Sequence, residues 1–224
     1  MTAAIDVAAN LSEVRRRIAE AAIAAGRAGR DVTLVAVSKT VPIPAIEAAI
    51  AAGQAAFGEN RVQEAKAKYP ELIARFPSLR LHLIGPLQTN KARDAVALFH
   101  VIETVDRPRL ADALGNEMAR LGRRPDCFVQ INTGREPQKA GALPEDADGL
   151  LRYARETAKL PIVGVMCIPP AEDNPAPHFD LLRTIAGRHG LAGISMGMSA
   201  DYELAVRHGA TVVRVGSAIF GARR

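Results

Sequence analysis

Two segments far apart in the chain carry the residue types for amine chemistry on a phosphorylated ligand. Lys39 lies just past the apolar run Leu34-Val35-Ala36-Val37, and near the C-terminus the chain reads Val212-Val213-Arg214-Val215-Gly216-Ser217. An amine held in a partly desolvated mouth has its pKa lowered, which leaves neutral nucleophile to attack an aldehyde. A lysine that merely snorkels from a strand end has no such role, so the second segment matters. Gly216-Ser217 and Gly197-Met198-Ser199 let backbone N–H groups approach an anion, and Ser199 is the expected N-cap of a helix starting near Asp201. Ordinary turns and caps use the same residue types; the pairing with Lys39 is what suits an aldehyde carrying a phosphate.

Arg214 alternates with Val213 and Val215, so it faces the opposite side of its strand, toward the cradle. A guanidinium cannot give up its proton; set against a pyridine nitrogen it donates a hydrogen bond, keeps that nitrogen unprotonated and leaves the ring a weak electron sink. An ion pair with Glu103 is the structural alternative. His82, between Leu81 and Leu83, reads as a satisfied core histidine, while His100, His178, His189 and His208 read as loop or helix-end residues without metal-ligand spacing. Cys127 and Cys167 lie inside apolar strand-like runs and read as buried, inert thiols.

The elements that must position these residues alternate along the chain. An amphipathic opening helix carries Leu11, Val14, Ile18, Ala22 and Ala25 and ends near Gly26 or Gly29. Short strands follow at Val32–Val37, Ala55–Phe57, Leu81–Ile84, Val101–Thr104, Phe128–Asn132, Ile162–Cys167, Gly193–Met196 and Thr211–Val215. Helices are expected between them at Ile43–Ala52, Arg61–Ala67, Thr89–Leu98, Arg107–Leu121, Pro144–Ala158, Ala176–Arg188 and Asp201–Arg207. Strands apolar on both faces, each followed by a helix, form parallel βαβ units, and eight of them predict an α/β fold of the (β/α)8 TIM-type barrel with an extra N-terminal helix. An open doubly wound sheet is the rival, but near-equal repeats in 224 residues favour closure within a single domain over 1–224. In a barrel, function gathers at the strand C-termini, which gives weight to Ser38-Lys39-Thr40, Gly58-Glu59-Asn60-Arg61, the 85–91 segment and Asn132. The proline-rich stretch 169–177 reads as one long loop over the mouth.

Composition excludes several classes. No run approaches the roughly 20 apolar residues that cross a bilayer, and the N-terminus lacks a secretory pattern, so no membrane role and a cytoplasmic location are expected. The formal charge of +5 is spread along helices among acids, as in Glu64-Ala65-Lys66-Ala67-Lys68, which reads as solvated surface. Aromatics make up only 4% with no Trp, so base-stacking platforms are scarce and no nucleic-acid role is expected; the charge suits small anionic ligands.

Five stretches together resemble a known family: Val37-Ser38-Lys39-Thr40, Phe57-Gly58-Glu59-Asn60, the run from His82 to Lys91, Ser195-Met196-Gly197-Met198-Ser199, and Arg214-Val215-Gly216-Ser217-Ala218-Ile219-Phe220-Gly221. They resemble the pyridoxal phosphate homeostasis protein family, single-domain relatives of the alanine racemase N-terminal barrel. The resemblance implies pyridoxal 5′-phosphate bound as a Schiff base on Lys39. It implies Arg214 facing the pyridine nitrogen, Asn60 and Met196 lining the ring pocket, and Ser199, Gly216 and Ser217 holding the phosphate. It further implies a cofactor carrier and buffer in vitamin B6 homeostasis, supplying transient apo-enzyme recipients and having no settled catalytic activity. Leu81, where an aromatic often precedes the histidine, and the loop from Asn132 to Glu136 depart from the family pattern at the rim.

Two enzymatic alternatives stand beside the carrier. A racemase or decarboxylase needs a second proton donor opposite the lysine, which in the racemases the family resembles comes from an added β domain; with four residues after Phe220, no such domain is expected. The weak sink implied by Arg214 points the same way. A sugar-phosphate aldolase or isomerase using Lys39 without a cofactor is equally compatible with fold and cradle.

Overall fold

A computed structural model describes residues 5–221. Among these, strands β1 (Thr33–Val37), β2 (Ala56–Glu59), β3 (Arg80–Leu83), β4 (Val101–Val105), β5 (Asp126–Ile131), β6 (Ile162–Cys167), β7 (Gly193–Ser195) and β8 (Val212–Val215) form a closed barrel in sequence order. The seam is made by β1 and β8, parallel and in register from Thr33 opposite Val212 to Ala36 opposite Val215. That seam separates the barrel from the open-sheet rival. The helices are α1 (Val7–Ala24), α2 (Ile43–Ala51), α3 (Val62–Arg75), α4 (Ala92–Leu98), α5 (Pro108–Leu121), α6 (Ala147–Arg152), α7 (Pro175–Arg188), α8 (Tyr202–Arg207) and α9 (Ser217–Phe220).

The extra helix α1 begins where Asp6 accepts a hydrogen bond from Ala9 N at 2.9 Å, satisfying a first-turn donor. Its Leu11, Val14, Ile18 and Ala22 are buried, as their spacing predicts, and the chain leaves the helix through Gly26 at φ +69°, a conformation that favours glycine. It packs on α2, α8 and α9, so it covers the β1/β8 seam from outside.

Two-sided burial explains the continuous apolar runs. Outward strand residues such as Ala36, Phe57, Leu81, Leu83 and Val129 join Ile46, Tyr69 and Leu114 of the helices in one large core. Inward residues Val35, Ala56, Val101, Phe128, Met166 and Val212 form a second, smaller cluster inside the barrel. Phe128 needs space there that only glycine neighbours leave. A Cβ on Gly164 would stand 2.5 Å from the Phe128 ring and 2.3 Å from the Gly193 carbonyl oxygen, and one on Gly193 would stand 2.8 Å from the same ring.

Two elements differ from the sequence expectation by more than frayed ends. Helix α3 runs to Arg75 through Pro70, because Tyr69 and Leu72 bury core surface beyond the proline and offset its lost hydrogen bond. Helix α6 starts at Ala147 instead of Pro144 and passes into a π turn at Tyr153–Thr157. Its upstream residues are held on the sheet, since Ala142 N donates to Gln130 O and Asn132 N to Ala142 O, both at 2.8 Å.

Gly164→Ala should overpack the barrel interior and lower unfolding free energy by about 1–3 kcal/mol. The upper end is expected because the nearest obstacle is backbone. Denaturant melts of the two proteins check this; equal stability would mean that Phe128 does not fill the interior as described.

Candidate functional site

Register at the seam sets the site. Ser38 continues the β1 ladder by donating its N–H to Gly58 O at 2.9 Å, and half-buried Lys39 follows it. Gly216 and Ser217 follow β8 directly, beside the end of β1. A Cβ on Gly216 would lie 3.3 Å from Val37 Cβ, so glycine keeps the two strand ends close. A cavity of about 650 Å³ has Lys39, Thr40, Gly216 and Ser217 in its walls, with Val41, Pro42 and Phe220 adding apolar surface. The amine and the glycine-serine turn thus share one cavity at the ends of β1 and β8, walled also by α1, α2 and α9; Arg214, Asn60 and Ser199 do not line it.

The turn is tied to the neighbouring loop. Gly216 N donates to Ser199 Oγ at 3.2 Å, which joins the loop after β7 to the end of β8. Within α9, Ile219 N and Phe220 N donate to Gly216 O at 2.9 Å, so the N–H groups of Ser217 and Ala218 precede the helix's own ladder and suit an outside acceptor. The expected N-cap role of Ser199 is corrected. Helix α8 starts at Tyr202 after Asp201, and the Asp201 carboxylate accepts from Met198 N at 2.6 Å. The N–H groups of Asp201 and Tyr202, the donors a cap at Ser199 would take, go instead to Met198 O at 3.0 and 2.8 Å, which leaves Ser199 Oγ to Gly216.

Arg214 lies inside the barrel, 3% exposed, and both sequence readings of its surroundings bear on it. Its Nη1 donates to Ser195 Oγ at 2.5 Å and Nη2 to Cys167 O at 2.8 Å, while Glu103 Oε2 stands 3.8 Å away. The ion pair with Glu103 is therefore real. These contacts fix the plane of a fork that carries five N–H donors and no acceptor, so any ring nitrogen meeting it must be unprotonated. Glu103, fully buried, also accepts from Ser195 Oγ at 2.5 Å and pairs with His82 Nδ1 at 2.6 Å. Burial pushes the Glu103 carboxyl upward, but His82, the Arg214 charge and Ser195 together hold it below the ordinary carboxylate range. His82 is thus the satisfied core residue expected.

The remaining expected residues scatter. Asn60 is half-buried at the end of β2, where Gly85 admits its backbone; a Cβ on Gly85 would sit 2.3 Å from Asn60 O. Met196 is fully buried in the cluster between strands and helices, not in the cavity wall, because its neighbour Ser195 takes the inward direction. Cys127 and Cys167 are buried, and burial raises both thiols, Cys167 to about 12, so neither is a nucleophile near neutrality.

The sequence reading missed the support of the lysine loop. Thr40 has φ +62°, a left-handed conformation that costs a β-branched residue about 1–3 kcal/mol. Its N–H donates to Glu64 Oε1 at 2.6 Å. The reading of Glu64 to Lys68 as solvated surface is corrected for Lys68, whose side chain is 11% exposed and pairs with the fully buried Glu59 at 2.6 Å. Lys66 alone of the two lysines fits it, 53% exposed beside Asp94. The i,i+4 spacing of Glu64 and Lys68 was the available signal.

Glu103→Gln should leave Arg214 an uncompensated buried charge and cost about 3–5 kcal/mol at neutral pH. Glu103 has a lowered folded-state pKa, so its stabilisation is present above the unfolded value and is lost as pH falls through the folded one. The gap between wild type and variant in denaturant melts should therefore narrow in acid; a gap that widens would contradict an ionised Glu103.

Comparison with known proteins gives this geometry its relatives. The family described as alanine racemase, N-terminal domain, matches residues 8–224. The chain is 43% identical over 223 residues to the pyridoxal phosphate homeostasis protein of Pseudomonas aeruginosa, covering 97% of this chain and 96% of that one. Among solved structures, PipY of Synechococcus elongatus PCC7942 with PLP bound superposes with TM-score 0.84 at 39% identity, covering 96% of this chain and all of that one. An alanine racemase of Clostridium difficile 630 in complex with cycloserine shares the fold at TM-score 0.76 and 14% identity, covering 97% of this chain and 60% of that one. With relatives at this identity over nearly the whole of both chains and the same barrel fold, the chain belongs to the pyridoxal phosphate homeostasis protein family.

Proposed function

We propose that this chain, acting as one domain in the cytoplasm, binds pyridoxal 5′-phosphate covalently on Lys39 and serves as a carrier and buffer that supplies the cofactor to apo-enzymes. The observation that carries the reading is the cavity shared by Lys39, Gly216 and Ser217. The relative solved with PLP bound supports the identity of the ligand. When bound, the cofactor supplies an aldehyde carbon open to attack by an amine.

The residues present fit that group. Lys39 offers the amine; the N–H groups of Ser217 and Ala218 offer phosphate donors, and Ser199 fixes their turn through Gly216. Arg214 offers only N–H groups, so it accommodates an unprotonated pyridine nitrogen and withholds the proton that carbanion chemistry on the ring draws on. That favours holding over turnover. Asn60 and Met196 have weaker claims: Asn60 follows β2 half-buried and Met196 is buried between strands and helices, and neither lines the cavity. No helix among the described residues is long and apolar enough to cross a membrane.

Purified protein loaded with the cofactor should show a visible absorbance band that borohydride removes. Peptide mass analysis should then find the pyridoxyl phosphate mass on Lys39, and Lys39→Ala should lose the fixation altogether. Protein that takes up no cofactor would instead favour the cofactor-free aldolase, and fixation elsewhere would overturn the assignment of Lys39.

A further inference from the structure

The lysine loop is held from behind by groups that touch neither cavity nor cradle. Lys68 Nζ lies 2.6 Å from Glu59 Oε1, 2.8 Å from Glu64 Oε1 and 2.8 Å from Ser38 O. An ammonium has three donors, and here all three meet oxygen acceptors. Ser38 O belongs to the peptide group before Lys39. Glu64 Oε1 also accepts from Thr40 N at 2.6 Å, and that N–H belongs to the peptide group after Lys39. One Glu-Lys-Glu triad therefore grips both peptide groups that flank the lysine.

The anchor of the triad is deep. Glu59 is fully buried, and its Oε1 accepts from Ser38 Oγ at 2.7 Å as well as from Lys68; Ser38 Oγ in turn meets Tyr69 OH at 2.6 Å. Thr40 would leave its left-handed backbone if nothing held its N–H, and rotation there would swing the Lys39 carbonyl, to which Thr40 Oγ1 donates at 2.6 Å. The cluster is costly, since burial raises the Glu59 carboxyl against the opposing pull of Lys68 and Ser38 and Glu59 Oε2 has no hydrogen-bond partner among the described residues; such a cost beneath a strained residue suits the fixing of a neighbour.

We propose that Glu59, Lys68 and Glu64 are positioning residues that set the direction of the Lys39 amine and so the rate at which it captures an aldehyde. The inference rests on the reading of Lys39 given under Proposed function. The capture joins Nζ to the aldehyde carbon as C=N and releases the aldehyde oxygen as water with the two amine protons. A misdirected amine slows this step without altering what the phosphate donors hold.

Cofactor-free protein is mixed with pyridoxal 5′-phosphate and the visible band followed in time. Binding of pyridoxine 5′-phosphate, an analogue with an alcohol in place of the aldehyde, is titrated in parallel. Lys68→Met and Glu64→Ala should slow band formation by about tenfold or more while the analogue's affinity stays within about twofold of wild type. Glu64→Gln, which keeps an acceptor for Thr40 N, should recover part of the loss, to about threefold below wild type. Circular dichroism shows which variants fold, and the two variants of half-buried Glu64 decide if Lys68→Met does not. Unchanged rates in folded variants, or rate and analogue affinity falling together, would overturn the clamp while leaving Lys39 in place. Wild-type protein that fixes no pyridoxyl phosphate on Lys39 would overturn the functional reading itself, and the clamp with it.

Discussion

The barrel is tied across its middle by a single carboxylate. Glu103 on β4 reaches His82 on β3, Ser195 on β7 and Arg214 on β8, and Arg214 passes the link on to the Cys167 carbonyl at the end of β6. A charge this deep survives only because every neighbour favours its ionised form. The same set of contacts fixes the guanidinium plane of Arg214, so the arginine belongs to the interior network. Hydrophobic packing of Phe128 and Met166 fills the interior cluster, and the glycines of β6 and β7 make that filling possible.

Closure of a parallel barrel brings all strand C-termini to one end, and the β1/β8 seam brings the first and last of them together. Lys39 and Gly216-Ser217, widely separated in sequence, become neighbours for that reason alone. The site that results joins an amine and a glycine-serine turn in one cavity, with Arg214 on β8 just upstream of the turn. Under the proposed function, an arginine facing the ring nitrogen would deny it a proton, which suits a protein that retains a reactive aldehyde without using it. Holding and releasing the cofactor then depend on the lysine and its loop.

The alternation of strands and helices was legible because two-sided burial writes continuous apolar runs, and glycine-rich turns mark strand ends. The placement of Lys39, Gly216 and Ser217 was legible for the same reason, since position at a strand end is a local property. What could not be read locally was long-range pairing. Lys68 looks like any helix-surface lysine until Glu59 of the preceding strand is seen beneath it. Ser199 looks like an N-cap until Met198 O takes the N–H groups of Asp201 and Tyr202. Helix α3 outlasts Pro70 because Tyr69 and Leu72 find a core that the helix's own sequence does not describe.

Carrier function requires that the cofactor leave for a recipient, and the most direct measurement is the rate of that departure. Loaded protein is mixed with increasing concentrations of an apo-enzyme that needs pyridoxal 5′-phosphate, and loss of the visible band is followed against a control in buffer containing an aldehyde trap. A carrier predicts departure that accelerates with apo-enzyme concentration beyond the rate into the trap. Departure at the trap's rate for every apo-enzyme concentration would contradict directed delivery and leave the protein a passive reservoir.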